Sequence, residues 1–277
     1  MSTSSSRSPD QVPEAWSATA ADYNAFSRNV TLPFAEDAAR LVPIEPGIRV
    51  IDVAAGTGNF AFAAAALGAT VFATDFARGM VELLRSEAET RGLSDRVRTA
   101  VMDGQALDVP DNSFDVAGSI FGVLFFPDQT RGLREMHRVL VPGGRAVVST
   151  WAPPPRGEMS SVLGSAMSKA IPNAPPAAGP PPWAALGDST AFRQRMLDAG
   201  FAQVHIVELR HVWVFTSLDA FTGMITRAAP PAVAMFSRMT DEQRVAFIGA
   251  VKDDFRARQG DGPYAITHEA MIAVGRK

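Results

Sequence analysis

Short apolar runs alternate with longer helix-like segments along the first half of the chain. Apolar runs bounded by turn residues are typical of buried strands, and segments with apolar residues along one side are typical of helices. The alternation predicts strands at residues 49–53, 70–74, 97–102, 114–119 and 145–150, and helices at 60–67, 78–91 and 130–140. This order predicts an α/β fold with a doubly wound, mostly parallel sheet and helices on both faces.

Segments on either side of this region extend the predicted sheet to seven strands. Two helices are expected at residues 13–27 and 32–41, and two strand-like segments occur at 204–215 and 264–274. Further helices are predicted at residues 158–169, 189–199 and 219–258, the last with a break at Pro230 and Pro231.

Proline content marks an insertion after the fifth strand. Nine of the 20 prolines fall between residues 153 and 182, and a structureless loop of that length is uncommon inside a compact domain. We therefore interpret the segment as a cap. The expected organisation is a disordered leader (1–12), a ligand-binding core (13–151), a Pro-rich cap insertion (152–187) and the rest of the sheet (188–277) with a helical insertion (217–258).

Composition narrows the class of protein. With 277 residues and 47% apolar content, the chain suits one large domain or one domain with a cap. A net charge of −3 without any basic run argues against nucleic acid as a partner. The absence of cysteine excludes disulfides and thiolate metal sites and is compatible with a cytoplasmic location. The leader lacks the apolar core of a signal peptide, and no apolar run is long enough to span a membrane.

The turn after the first strand is the strongest candidate for a ligand-binding element. Val50 to Phe60 reads as a strand, a small-residue turn and a helix start, and glycine there lets a ligand approach bare backbone. Gly56, Gly58 and Ala61 also fit the G-x-G-x-x-A dinucleotide pattern, which keeps an NAD-dependent oxidoreductase open. Asp75 ends the second strand at the spacing expected for an acid that binds a ribose diol; a simple helix N-cap is the alternative.

Three further features favour a different nucleotide ligand. Asp52 lies inside the first strand, where its carboxylate could hold a water or orient a cationic ligand. Asp103-Gly104-Gln105 follows the third strand, where an acid can accept a hydrogen bond from an adenine amine. The third feature is a pair of turn motifs, P-D-N-S-F-D at residues 110–115 and V-L-V-P-G-G at residues 139–144.

With these motifs in order, the chain resembles the class I S-adenosylmethionine-dependent methyltransferases, in the branch similar to the ubiquinone/menaquinone-biosynthesis enzymes (methyltransferase type 11). The resemblance covers roughly residues 16–151 and is carried by V-I-D-V-A-A-G-T-G-N, A-T-D-F-A-R-G-M, M-D-G-Q-A-L, P-D-N-S-F-D-V, F-P-D and R-V-L-V-P-G-G. One departure is Ala54, where many members carry glycine.

The resemblance implies S-adenosyl-L-methionine as cofactor, S-adenosyl-L-homocysteine as product and a Rossmann-like core. It implies that the methionyl part lies against the backbone of Ala54, Gly56 and Gly58, in a pocket lined by Ser119 and Phe121, with Tyr23 as a lid over the sulfonium. Asp75 would bind the ribose. The adenine would lie between Phe76 and Met80, with its polar edge against Asp103, Gly104 and Gln105. For Tyr23, plain core packing is an equal alternative.

The expected activity is methyl transfer to a small, largely apolar acceptor, with oxygen favoured and carbon or nitrogen as alternatives. Large apolar groups in the second half could form the acceptor pocket: Trp151, Met159, Met167, Trp183, Trp213, Phe215, Phe221, Met224 and Met235. No catalytic base or metal site is predicted, because His137, His205, His211 and His268 are interpreted as structural. A non-methylating S-adenosylmethionine-binding protein and the NAD-dependent oxidoreductase remain alternatives. Monomer and homodimer both stay open.

Overall fold

A seven-stranded sheet forms the centre of the computed structural model, which describes residues 8–153, 156–173 and 182–277, without the side chains of residues 182 and 183. The strands are β1 (Arg49–Val53), β2 (Thr70–Asp75), β3 (Val97–Val101), β4 (Phe114–Ile120), β5 (Leu140–Trp151), β6 (Ala202–Phe215) and β7 (Tyr264–Arg276). The helices are α1 (Pro13–Val30), α2 (Leu32–Arg40), α3 (Asn59–Ala66), α4 (Arg78–Thr90), α5 (Gln129–Val139), α6 (Glu158–Ala170), α7 (Ser189–Asp198), α8 (Leu218–Arg227), α9 (Pro230–Ser237) and α10 (Asp241–Gln259).

The strand order is β3-β2-β1-β4-β5-β7-β6. The pairs among β1 to β5 are parallel, and β7 runs antiparallel to both of its neighbours, β5 and β6. This confirms the predicted doubly wound, mostly parallel α/β sheet. Its order reverses beside β1, so the tips of β1 and β4 diverge there and open a crevice at the carboxyl ends of the strands.

Two hydrophobic clusters cover the two faces of the sheet. On one face, α2, α3 and α4 supply apolar side chains, including Ala38, Phe60 and Leu84, which are at most 2% exposed. On the other face, α5 and α7 supply residues such as Met136 and Phe192, which are fully buried. The alanines of α3 allow that helix to pack close against α2 and β2.

A third cluster forms a cap beyond the tip of β5. Helices α6, α8, α9 and α10 pack against the part of β6 and β7 that extends past Trp151, with Phe221, Phe247 and Phe255 at most 1% exposed. The predicted proline break is observed, since Pro230 and Pro231 occupy the first turn of α9, where proline is tolerated. Residues 154–155 and 174–181 of the expected cap insertion lie outside the described residues.

Two local expectations differ from the structure. The leader was expected to be disordered to residue 12, but Pro9–Gln11 form a turn of 3-10 helix that packs on α1; residues 1–7 lie outside the described part. The fifth strand begins at Leu140 and not at residue 145, because Leu140 pairs with Phe114 before a register shift that accommodates Pro142 and the two glycines.

Candidate functional site

A cavity of about 610 Å³ lies at the carboxyl ends of β1 to β4, within the usual range for small-molecule sites. Eleven of the thirteen residues predicted to contact a cofactor line it: Tyr23, Asp52, Ala54, Gly56, Asp75, Phe76, Met80, Asp103, Gly104, Gln105 and Phe121. Residues far apart in sequence are brought together because parallel strands place their carboxyl ends at one edge of the sheet.

The loop after β1 forms the floor of this cavity. Gly56 has a φ of 55°, and a Cβ there would lie 3.3 Å from Cε1 of Tyr23. Ala54 also has a left-handed φ of 55°, a conformation that costs a residue with a Cβ about 1 kcal/mol or more. The departure from glycine at Ala54 therefore places a strained residue at the cavity.

Gly58 and Ser119 are the two predicted contact residues that do not line the cavity. Gly58 is the N-cap residue of α3 and has a φ of 93°, and a Cβ there would come within 3 Å of Leu84 and Phe62. The Ser119 hydroxyl is fully buried and accepts a hydrogen bond from the backbone of Val123 at 3.2 Å. In this structure both residues shape the loops that surround the cavity.

Asp75 links the tips of β1 and β2. Its carboxylate accepts hydrogen bonds from the backbone N–H of Gly56 and of Ala77, both at 2.9 Å. Burial raises the pKa of Asp75 to about 6, against the lowering effect of these two bonds. The side chain is therefore a bonded acceptor poised between its charged and neutral forms near neutral pH.

Asp52 lies deeper beneath the same loop. Its carboxylate is 1% exposed and accepts a hydrogen bond from the backbone N–H of Ala61 at 3.0 Å, which ties β1 to α3. Burial, with the nearby charge of Asp75, raises the pKa of Asp52 well above its ordinary value. Asp52 thus lines the cavity and also fixes the helix start.

At the tip of β3, Asp103 and Gln105 form a bonded pair at the rim of the cavity. Asp103 Oδ1 accepts from the backbone N–H of Gln105 at 2.8 Å and from its side-chain amide at 3.3 Å. The Gln105 carbonyl oxygen in turn accepts from the backbone N–H of Asp128 at 2.9 Å. These bonds hold the Asp103 carboxylate in place at the cavity rim.

Aromatic side chains of α1 close the cavity from above. The rings of Tyr23 and Trp16 meet edge to face with centroids 5.4 Å apart, and Trp16 contacts Phe125 at 5.3 Å in a similar arrangement. Burial and the neighbouring Asp75 raise the pKa of Tyr23 to about 12, so the phenol stays protonated.

Several cavity residues were not identified from the sequence. Thr31 and Asn59 form a polar pair, in which the Asn59 amide donates to the Thr31 hydroxyl at 3.0 Å. Asp10, Gln11 and Pro13 come from the segment expected to be a disordered leader or its boundary. The seven-residue spacing of Trp16 and Tyr23 on α1 could have identified Trp16, but no sequence signal marks Asp10.

The residues expected to form an acceptor pocket lie elsewhere. Met159, Met167, Trp213, Phe215, Phe221 and Met235 belong to the hydrophobic cluster of the cap. Trp151 stacks on Phe121 with ring centroids 3.8 Å apart, so it supports the cavity wall from behind. The side chain of Trp183 is outside the described residues. The second-half pocket therefore stays a prediction, and the described cavity is lined from the first half of the chain.

The histidines lie outside the described cavity lining. His211 Nε2 lies 2.8 Å from Asp37 Oδ2, which joins β6 to α2. His268 is 7% exposed, and its burial lowers its pKa to about 4. Within the described residues, no group of three or more His, Asp or Glu side chains has an arrangement suited to a metal ion, and no helix is long and apolar enough to cross a bilayer.

The fold and the position of this cavity resemble those of Rossmann-like methyltransferases. Residues 51–148 match the methyltransferase domain family, in the region where the six motifs lie. A demethylmenaquinone methyltransferase of Thermus thermophilus is 40% identical over 126 residues, covering 45% of this chain and 56% of that protein. The chain spans about half the length of the curated relatives it matches.

Solved structures extend the similarity in fold to almost the whole chain. The [4+2]-cyclase SpnF matches with a TM-score of 0.61 at 19% identity, covering 97% of both chains. Phosphoethanolamine N-methyltransferase 2 of Haemonchus contortus, in complex with S-adenosyl-L-methionine, matches with a TM-score of 0.59 at 15% identity, covering 94% of this chain and 57% of that one. At these identities the matches establish the fold alone.

Proposed function

We propose that this protein transfers a methyl group from S-adenosyl-L-methionine to a small, largely apolar acceptor. The observation that carries the proposal is the convergence of Asp75, Asp103 and the Gly56 loop on one cavity. Asp75 would accept hydrogen bonds from the ribose hydroxyls, Phe76 and Met80 would enclose the adenine, and Tyr23 would cover the sulfonium. The match to the methyltransferase domain favours this cofactor over NAD, which the G-x-G-x-x-A pattern alone left open.

The charge of the cavity supports an uncharged or cationic acceptor. Its described lining contains the four aspartates Asp10, Asp52, Asp75 and Asp103, and no lysine, arginine or histidine. An acceptor with a phosphate or carboxylate would therefore find no cation in this lining to pair with it. Trp16, Phe121 and Phe125 offer it an apolar, aromatic surface instead.

Methyl transfer places modest demands on the protein once the donor is bound. The sulfonium supplies an activated methyl group, so the protein has to hold the acceptor in line with it and exclude water. The roof formed by Tyr23 and Trp16 would serve the second purpose. We favour oxygen as the acceptor atom, with carbon and nitrogen as alternatives; the name of the Thermus relative makes quinone-like acceptors part of any test.

A second candidate is a protein that binds the cofactor without transferring its methyl group. The fold similarity to a cyclase over 97% of the chain is the observation that keeps it in view. Titration calorimetry with S-adenosylmethionine, S-adenosylhomocysteine and NAD tests the cofactor, and tight binding of NAD alone would refute the proposal. Transfer of labelled methyl to a panel of phenols, amines, quinols and polyketide-like compounds separates the two candidates. Activity confined to RNA or protein would refute the acceptor class.

A further inference from the structure

A buried aspartate on the N-terminal segment lines the cavity with one carboxylate oxygen unpaired among the described residues. Asp10 lies in the 3-10 turn Pro9–Gln11, hereafter the strap, and is only 6% exposed. Asp10 is one of the residues that line the cavity. Its Oδ1 has no hydrogen-bond partner among residues 8–153, 156–173 and 182–277.

The strap is fixed in position by α1. The indole N–H of Trp16 donates to the backbone carbonyl of Asp10 at 2.9 Å, and Trp16 itself is 7% exposed. Trp16 packs in one hydrophobic cluster with Ala77 and Met80, the residues that follow the tip of β2. Asp10 is therefore held on the side of the cavity where the adenosyl group would lie.

A second contact ties the start of α1 to the start of α4. The backbone N–H of Gly79 donates to the hydroxyl of Ser17 at 3.1 Å, and a Cβ at Gly79 would lie 2.7 Å from the Ser17 carbonyl oxygen. This close approach leaves little freedom for α1 to shift over α4. The strap and the β2 tip therefore keep a defined separation across the cavity.

Burial of an unpaired carboxylate oxygen is unfavourable in the protein alone. Removing a charged or polar group from water without a new hydrogen bond costs free energy, and an apolar residue of similar size at the same place would not carry that cost. Asp10 is thus a poor choice for stability at a position where Trp16 already bonds its backbone. A group that the cavity binds would supply the missing partner.

We propose that Asp10 accepts a hydrogen bond from an N–H or O–H group on the adenosyl part of the methyl donor, so that the strap completes the donor site. The inference rests on the proposed function, because it takes S-adenosylmethionine as the bound molecule. Two groups of the donor have the required chemistry, the exocyclic amine of the adenine and the ribose hydroxyls. This hydrogen bond would make the N-terminal strap part of the donor site and Asp10 a determinant of donor affinity.

The test compares Asp10→Leu and Asp10→Asn with a matched control, Glu14→Gln, which removes a charge from an exposed position four residues away. Binding of S-adenosylhomocysteine is measured by calorimetry and thermal unfolding is measured without ligand. We expect Asp10→Leu to lose about tenfold or more in affinity while its unfolding temperature stays at or above that of the wild type. Asp10→Asn should bind with intermediate affinity, and Glu14→Gln should bind as the wild type does.

Two analogues identify the donor group. One lacks the adenine amine and the other lacks the ribose 2′-hydroxyl; the analogue that lacks the partner of Asp10 should bind the wild type and Asp10→Leu equally well. If Asp10→Leu and Asp10→Asn bind the donor with wild-type affinity, the inference is overturned and the proposed function is left intact. A rise in acceptor KM without any loss of donor affinity would have the same consequence. Failure of the wild type to bind S-adenosylhomocysteine would refute the proposed function itself.

Discussion

Asp75 offers a test in which stability and binding respond to pH in opposite directions. Burial raises the pKa of its carboxyl group to about 6, from an ordinary value of 3.8. At about 1.4 kcal/mol per pKa unit, the difference corresponds to about 3 kcal/mol. Because the folded-state pKa lies above the unfolded one, this stability is fully present below pH 4 and is lost as the pH rises through 6. Asp52, whose pKa is also raised, contributes in the same direction.

The perturbation is Asp75→Asn, which removes this titration while keeping the size of the side chain. An amide can accept only one of the two backbone hydrogen bonds from Gly56 and Ala77, so the variant should lose about 1–3 kcal/mol at low pH. This deficit should shrink by about 3 kcal/mol between pH 4 and pH 7, because the wild type alone must ionise a buried group. Urea unfolding of both proteins across that range measures the difference between their unfolding free energies. The contribution of Asp52 is common to both proteins and cancels in this difference.

Donor binding should follow the opposite trend. The ionised carboxylate is the better acceptor for ribose hydroxyls, so the affinity of the wild type for S-adenosylhomocysteine should fall about tenfold between pH 7 and pH 5. Asp75→Asn should bind more weakly and with little pH dependence in that range. Asp95→Asn, a change at an exposed turn before β3, should reproduce the wild-type profile. Parallel pH profiles for the wild type and Asp75→Asn, in either assay, would refute this account of Asp75.

Three further substitutions separate loop strain, donor contact and structural bonding. Gly56→Ala should lose about 1–2 kcal/mol of stability because of its positive φ, and it should also bind S-adenosylhomocysteine more weakly. The control Gly47→Ala, at a φ of 96° with open space around it, should lose stability without any loss of binding. Equal losses of binding in the two variants would contradict a role for Gly56 in the donor site. Ala54→Gly should raise the unfolding free energy by about 0.5 kcal/mol in urea titrations, and a loss of stability would show that its φ of 55° is not strained. Arg138→Lys should cost about 2 kcal/mol, because the guanidinium bridges Glu135 and two loop carbonyls at 2.8–2.9 Å, while calorimetry should find donor affinity unchanged.

The strand tips could be predicted because their chemistry is local. Asp75 and Asp103 each follow an apolar run directly, and a parallel sheet then brings both residues to the same edge. The same logic identified Gly56 from its small-residue turn. Such positions need only a correct assignment of strands and of their direction, which the alternation of elements supplied.

Other features depend on contacts across long distances in sequence. The strap is held by an indole hydrogen bond and by packing of Trp16 on Met80, and the Ser-rich composition of the leader predicts neither contact. The predicted ligand contact of Gly58 stays a prediction, and nothing in the sequence indicates that its missing Cβ also makes room for Leu84, a residue on another helix. The Met and aromatic residues of the second half fit a pocket and a core equally well by composition, and packing alone decides between the two.

The two long strands β6 and β7 run through both the core and the cap. Ile272 of β7 is buried among the core side chains, while Ile266, six residues earlier on the same strand, is buried in the cap cluster. Mechanical load on either part would thus be transmitted along a continuous hydrogen-bonded ladder. Replacing the cap by another one would therefore mean attaching new helices to the existing β6–β7 pair, because these two strands continue from the core into the cap.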